Sequence, residues 1–215
     1  NNDTKAKKLM DLLCQYPPQH FFRVSTDKAA NPVNIMGASK RIMEDVIFAY
    51  SDKFPVKTAR FANVAFSNGS LPAGCLARLQ KLQPISAPSD VKRYFVSPEE
   101  SGQICMLSCM LGNNREIFFP KLEEEQMMTF DVIATELIKA HGYEVLHCES
   151  DEEAIDKAVE LRKGSNQYPV HYSGSNTSGE KSFEEFFTDE ETVDMDRLKS
   201  LGIVTGKDLV DLDKV

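Results

Sequence analysis

Residues 20–50 read HFFRVSTDKAANPVNIMGASKRIMEDVIFAY, and this stretch decides the fold. The segment 20–25 is apolar and β-prone, which predicts a strand. Pro32 suits the first turn of a helix that continues through Lys40. The polar residues 25–28, Ser-Thr-Asp-Lys, stand between the predicted strand and the predicted helix. This order predicts half of an active site, with acid and base groups after a strand and a lysine inside the next helix.

Each part of this pattern also has an ordinary structural explanation. Thr26 and Asp27 before a helix are often only a turn and a cap, and Met36 on a helix is usually core filler. The combination is harder to explain in that way. Lys40 stands four positions after Met36 and shares its helical face, so the strand, the Thr-Asp-Lys run and the lysine occur together in one order.

The combination resembles the extended short-chain dehydrogenase/reductase family, in which a strand ending in Ser or Thr is followed by a helix carrying Tyr-x-x-x-Lys. Residues 25–34, STDKAANPVN, and 36–41, MGASKR, resemble in particular the nucleotide-sugar 4,6-dehydratases of bacterial polysaccharide and glycan biosynthesis. The type substrate of those enzymes is UDP-N-acetylglucosamine. Met36 stands at the tyrosine position. The resemblance implies a Rossmann-type α/β fold with a small α/β substrate lobe.

The resemblance also implies roles for the residues around this motif. In the family the tyrosine removes a proton from a substrate hydroxyl, which the thioether of Met36 cannot do. Among the residues that the resemblance assigns to catalysis, Asp27 is therefore our first candidate for the base or acid. Lys28 is its partner, in the place of a glutamate in related dehydratases, and Thr26 is the contact for the sugar O4. Ser25 and Lys40 are expected to contact NAD, with Lys40 on the nicotinamide ribose.

The implied cycle has three steps. C4 is oxidised with hydride transfer to NAD, water is lost from C5 and C6, and the hydride returns to C6. NAD is then tightly bound and recycled.

A second strand is predicted within residues 55–64, ending in a glycine turn at 67–70. This segment resembles the family's Arg-Phe-x-Asn-Val run. The resemblance assigns Phe61 and Ala62 to the cofactor, and it assigns Asn63 and Ser67 to the substrate. The alternative is an ordinary strand end.

Two cations further along the chain are candidate substrate contacts. The segment 92–100, KRYFVSPEE, resembles the family's Thr-Arg-Tyr-Phe-Met run. Arg93 is a candidate for the diphosphate, because a planar guanidinium can bind phosphate oxygens in two places; a surface salt bridge is the alternative. Lys181 ends the run 178–181, SGEK, where the family often reads Arg-Pro-Gly-Glu-Lys. The arginine that relatives use on the nucleotide is absent from this run.

The sequence contains no Gly-x-Gly-x-x-Gly or Gly-x-x-Gly-x-x-Gly phosphate loop, although the family binds its dinucleotide through such a turn. We therefore expect the carboxyl-terminal part of a longer protein, with the phosphate-binding loop outside this segment. Residues 1–70 are predicted to hold the last part of the NAD-binding domain, with the catalytic strand and helix. Residues 71–215 are predicted to form mainly the substrate-binding lobe, with some segments returning to the Rossmann sheet.

Composition narrows the class of partner. The 215 residues are 41% hydrophobic and carry a net charge of −8, and no basic run favours nucleic acid. No apolar run reaches the roughly 20 residues of a membrane helix, so this segment is expected to be cytoplasmic, although larger members of the family carry membrane helices upstream. A homo-oligomer is expected because related enzymes commonly assemble as dimers or hexamers.

The cysteines and histidines suggest no metal site. Five cysteines, an odd number without Cys-x-x-Cys pairs, predict reduced thiols, and Cys105 and Cys109 are simplest as core residues. His141, His147 and Cys148 lie close in sequence but lack a fourth ligand. Residues 150–164 predict an acidic helix, either a solvated insertion or a partner-binding surface.

Three functions remain open at this point. The first is NAD-dependent 4,6-dehydration of a UDP-N-acetylhexosamine, with retention at C5 because relatives that invert C5 usually keep the tyrosine. The second is a nucleotide-sugar 4-epimerase or reductase. The third is a non-catalytic relative, which the loss of the tyrosine and of the terminal arginine favours.

Overall fold

The computed structural model describes residues 2–175 and 184–207. Contacts divide the chain into two compact units. The first contains residues 1–62, 99–122 and 179–215, and the second contains residues 63–98 and 123–178. The division at residue 70 made from the sequence concerns cofactor and substrate roles, and it stays a prediction.

The first unit is built on a five-stranded sheet. Its elements are α1 (Asn2–Leu13), β1 (Phe21–Thr26), α2 (Ile35–Phe48), β2 (Val56–Phe61), α4 (Pro98–Leu111, of which Pro98 belongs to the second unit), β7 (Ile117–Pro120), β11 (Thr192–Asp194) and β12 (Leu201–Thr205). The strand order is β1-β2-β7-β12-β11. β1, β2 and β7 run parallel, whereas β12 and β11 are antiparallel to their neighbours.

The second unit is a smaller α/β body. Its elements are β3 (Asn63–Val64), α3 (Leu71–Gln80), β4 (Ile85–Pro88), β5 (Lys92–Arg93), β6 (Phe95–Val96), β8 (Met128–Thr129), α5 (Phe130–Ala140), β9 (Glu144–His147), α6 (Asp151–Arg162) and β10 (Gln167–Ser173). Parallel strands in the order β4-β10-β9 form its main sheet. Its core is apolar and includes Cys75, Leu79, Ile85, Ile138, Leu161, Tyr168 and Val170.

The predicted strand and helix around the motif are present, but the helix begins later than expected. Asn34 is its N-cap, with an extended backbone and a side-chain oxygen that accepts the Gly37 N–H at 2.8 Å. Asparagine is among the best N-cap residues because it satisfies a backbone N–H that has no partner within the helix. Pro32 therefore lies before the helix rather than in its first turn.

The second predicted strand is divided in two. β2 ends at Phe61, and β3 pairs with β6, where the Asn63 N–H donates to the Tyr94 carbonyl at 3.2 Å. Every residue of β2 is buried, including Lys57 and Arg60. A buried ion must find partners, since taking a charge out of water is costly.

Two other expectations have different outcomes. Cys105 and Cys109 lie on α4 but are only half-buried, so they are not core thiols. α6 confirms the predicted acidic helix. It buries Ala154, Ala158 and Leu161 and carries three acidic residues in its first turn.

Candidate active site

The carboxyl ends of β1 and β2 lie side by side, with Thr26 opposite Phe61 in the parallel register. In open α/β sheets, ligands bind outside the carboxyl ends of the parallel strands. The residues predicted from the first motif are thus at the edge of the sheet where ligands are expected.

Thr26, Asp27 and Lys28 form a short polar chain directly after β1. Thr26 Oγ1 donates to Asp27 Oδ1 at 2.6 Å, and Lys28 Nζ lies 3.6 Å from the same oxygen. Asp27 is 7% exposed, whereas the Lys28 side chain is 44% exposed. The arrangement places a hydroxyl donor and an ammonium beside the same oxygen of one buried carboxylate. Such a group can accept a proton or release one to a neighbour.

Gly37 brings the start of α2 against the loop that follows β1, which we call the 26–31 loop (residues 26–31). A Cβ added at Gly37 would lie 2.8 Å from the Lys28 carbonyl oxygen and 3.1 Å from Pro32 Cβ. Any larger residue at this position would have to push the loop and the helix apart. Glycine thus fixes the distance between the two elements of the motif.

Met36 and Lys40 lie one turn apart on α2, as predicted. Met36 is 53% exposed, so it is not core filler. Lys40 is half-buried, and its side chain forms no hydrogen bond or ion pair within residues 2–175 and 184–207. A cation without a partner at the ligand-binding edge fits the ribose end of a dinucleotide, although the sequence carries no loop for its phosphates.

Four charged side chains and one hydroxyl group lie beside the 26–31 loop, and we call them the ion cluster: Glu44, Arg60, Glu191, Lys207 and Ser25. Arg60 Nη2 lies 2.8 Å from Glu44 Oε2, and its Nη1 lies 2.6 Å from Glu191 Oε2. Ser25 donates to Glu44 Oε1 at 2.5 Å, and Lys207 Nζ approaches Glu44 Oε2 at 3.3 Å. Glu44 and Arg60 are completely buried.

The ion cluster holds both carboxylates in the charged form. Burial by itself would raise the pKa of Glu44, but the charge and hydrogen bonds of Arg60 outweigh it and hold that pKa below its ordinary value. For Glu191, burial also acts to raise the pKa, and the Arg60 hydrogen bonds and charge again lower it. The pKa of Arg60 is raised, because its bonds to both carboxylates outweigh its burial.

Asn63, Ser67 and Arg93 belong to the second unit, whereas Phe61 and Ala62 are buried in the first. Asn63 donates through its side-chain amide to the Tyr94 carbonyl at 3.4 Å. Ser67 is exposed in the turn after β3. Arg93 is buried on β5, and its Nη1 donates to the Lys92 carbonyl at 2.7 Å. Lys181 lies outside the described residues, so its predicted contact stays a prediction.

A family model described as polysaccharide biosynthesis protein matches residues 1–205. The chain belongs to this family. The match covers both compact units, so the motif around Asp27 and the Asn63 segment lie in one family pattern.

Relatives of the chain carry different names. The chain is 28% identical over 206 residues to an uncharacterized membrane protein of Methanocaldococcus jannaschii, covering 93% of the chain and 56% of that protein. It is 24% identical over 190 residues to a UDP-N-acetylglucosamine 4,6-dehydratase (inverting) of Campylobacter jejuni, covering 85% and 52%. UDP-glucose 4-epimerases of Rickettsia bellii also match. The chain spans about half the length of these relatives.

Solved structures agree on the fold. The structure of Pen from Bacillus thuringiensis superposes with a TM-score of 0.74 at 17% identity, covering 96% of the chain and 58% of Pen. Other structural neighbours are nucleotide-sugar epimerases and dehydratases. The predicted Rossmann-type α/β fold is thereby confirmed.

The ion cluster was missed in the sequence. The signal was present, because Arg60 is a charged residue in the apolar strand 56–61 and Glu44 lies among Met43, Val46 and Ile47 on α2. Charged residues in such positions are rarely buried unless paired. Nothing local, however, identified Glu191 as the third member.

The described residues contain neither a candidate metal site nor a candidate membrane-spanning helix. Within residues 2–175 and 184–207, no three His, Cys, Asp or Glu side chains are arranged to hold a metal ion. No helix of the same ranges is both long and apolar enough to cross a membrane.

Proposed function

We propose that the chain is the acid/base and substrate-binding part of an NAD-dependent nucleotide-sugar 4,6-dehydratase that acts on a UDP-N-acetylhexosamine, first of all UDP-N-acetylglucosamine. The observation that carries the proposal is the buried Asp27 carboxylate at the end of β1, one oxygen of which accepts from the Thr26 hydroxyl and lies near the Lys28 ammonium. Its product would be a 4-keto-6-deoxy sugar nucleotide for surface polysaccharide or glycan synthesis.

NAD would supply the hydride acceptor and donor of such a reaction. The chain's own residues account for the proton transfers. The Thr26 hydroxyl donates to Asp27 in this structure. Because a hydroxyl group rotates, it can donate to a sugar oxygen instead. Asp27 can accept a proton from the substrate, and Lys28 can donate a proton to the substrate hydroxyl that leaves as water. Lys40, which lacks a partner among the described residues, would hold the ribose of the cofactor.

Met36, at the position of the family's tyrosine, cannot serve as the base. A thioether neither donates nor accepts a proton at ordinary pH, so the base of this reaction must be another side chain. Met36 is exposed and lies on the face of α2 that carries Lys40. We propose Asp27 for that role, and we also propose retention at C5.

A 4-epimerase is the second candidate, because UDP-glucose 4-epimerases are among the relatives. The test is to incubate the protein at its natural length with NAD and UDP-N-acetylglucosamine and to identify the product by proton NMR. A 4-keto-6-deoxy sugar supports dehydration, whereas a 4-epimer supports the second candidate. No turnover despite bound NAD would point to a non-catalytic relative. A product inverted at C5 would overturn the stereochemical part alone.

A further inference from the structure

Arg60 uses every N–H of its guanidinium. Nε and Nη2 donate to the two oxygens of Glu44 at 3.0 and 2.8 Å. Nη1 and Nη2 donate to the two oxygens of Glu191 at 2.6 and 2.8 Å, and Nη1 also donates to the Phe186 carbonyl at 2.8 Å. An arginine has five N–H donors in a fixed plane, and a lysine could not reproduce this pattern.

These bonds join elements that are far apart in sequence. Glu44 also accepts the hydrogen bond from Ser25, the residue before Thr26. Phe186 and Glu191 lie on residues 184–191, which we call the returning segment. The Thr188 N–H donates to Glu191 Oε2 at 3.0 Å, so the segment is folded around the carboxylate that Arg60 binds.

The returning segment also contacts the 26–31 loop directly. Asn31 Nδ2 donates to Glu185 Oε2 at 2.9 Å, across 154 positions of sequence. The loop that carries Asp27 and Lys28 is thus tied at Asn31 to a segment whose other end is held by Arg60. At its start, the loop follows Ser25, which reaches Arg60 through Glu44.

We propose that the returning segment braces the 26–31 loop and that Arg60 is the positioning residue of this brace. The inference rests on the proposed function, because it assigns the brace to the group that transfers protons. A side chain that transfers a proton must lie within hydrogen-bond reach of its substrate, so a displaced loop lowers kcat. Binding of the sugar nucleotide would change little.

Three variants of the natural-length protein test the brace. Glu191→Gln keeps the size of the side chain and removes its charge, and Asn31→Ala removes the direct tie at an exposed position. Glu190→Gln is the matched control, because Glu190 is exposed and forms no ion pair among the described residues. We expect Glu191→Gln to lower kcat for dehydration about tenfold with KM nearly unchanged, and Asn31→Ala to lower it in the same direction.

Hydrogen exchange separates a brace from a general loss of stability. In Glu191→Gln, backbone amides of residues 26–34 should exchange faster while those of β2 keep their protection. Faster exchange throughout the first unit, or an unchanged kcat, would overturn the proposal. An equal loss of kcat in Glu190→Gln would do the same.

The two proposals can fail separately. If the wild-type protein forms no 4-keto-6-deoxy sugar, the proposed function fails. The exchange measurement then decides the brace alone, with local acceleration in 26–34 supporting it and identical exchange in all variants overturning it.

Discussion

The 26–31 loop and the ion cluster meet at Ser25 and Thr26 but differ in burial and in how fully their charges are paired. The loop has a half-exposed lysine at 3.6 Å from its carboxylate, whereas the cluster is buried and Arg60 uses all its donors. Ser25 and Thr26 divide the two regions, because successive side chains of a strand point to opposite faces. The comparison supports the proposal that the loop transfers protons and that the cluster stabilises the fold.

Replacing the candidate base should have the largest effect on activity and little effect on stability. Asp27→Asn keeps the shape and the hydrogen bond from Thr26 but removes the group that accepts a proton. Turnover should fall by about 10²–10⁴, with NAD and substrate still bound. Steady-state kinetics and ligand-binding calorimetry on the same protein measure both quantities.

Met36→Leu is the matched control for that variant. A Met-to-Leu exchange usually costs less than about 1.5 kcal/mol even in a packed site, and Met36 is half-exposed. If Met36→Leu abolished turnover while Asp27→Asn left it intact, the loop would not be the region of proton transfer.

Replacing Arg60, the central ion of the cluster, should cause a large loss of stability. Arg60→Met removes the cation that Glu44 and Glu191 share, although the lysine of the cluster stays beside Glu44. Breaking buried ion pairs in this way destabilises a protein by about 3–5 kcal/mol. Urea unfolding would measure the free energy. Tyr168→Phe in the core of the second unit is the comparison, because it removes one hydrogen bond to the Gln83 carbonyl and should cost only about 1 kcal/mol. Equal losses would mean that the cluster contributes no more than a single neutral hydrogen bond.

Acid should weaken the ion cluster. The folded pKa values of Glu44 and Glu191 are below the ordinary 4.5, so their stabilisation is complete above that value and is lost as pH falls through the folded values. The free energy of unfolding should therefore decline below about pH 4.5. Glu191→Gln removes one of these carboxylates, so its decline should be shallower than that of the wild type. A wild-type stability that does not change with acid would contradict the proposed ionic character of the cluster.

The sequence predicted the loop better than the cluster for a physical reason. β1, α2 and the residues between them are determined by local patterns: an apolar strand, a polar run and a capped helix. The cluster instead depends on pairing at long range, since Glu44 and Glu191 lie 16 and 131 positions from Arg60. Arg60 in an apolar strand indicated that a partner must exist, but only folding of the chain identifies it. The prediction that Pro32 lies in the first turn of α2 is wrong, because Asn34 caps the helix, which begins at Ile35.

Gly37 lies where α2, the helix that carries Glu44 of the ion cluster, contacts the 26–31 loop. Its substitution should therefore affect both regions. Gly37→Ala places a methyl group 2.8 Å from the Lys28 carbonyl oxygen, closer than van der Waals contact allows. Overpacking of this kind costs about 1–3 kcal/mol. The displaced Lys28 should also lower turnover, so kinetics and urea unfolding are measured on one preparation.

Gly102→Ala on α4 is the control for the loss of glycine itself. An added Cβ at Gly102 meets nothing within 4 Å, so alanine should stabilise the helix by about 0.5–1 kcal/mol through its lower entropy in the unfolded chain. Opposite signs for the two variants would show that contact with the loop, and not helix propensity, requires glycine at position 37. Alanine is the better helix former at both positions. A gain in stability in Gly37→Ala as well would therefore mean that the loop moves to make room for the methyl group. Gly37 would then not fix the distance between Lys28 and α2.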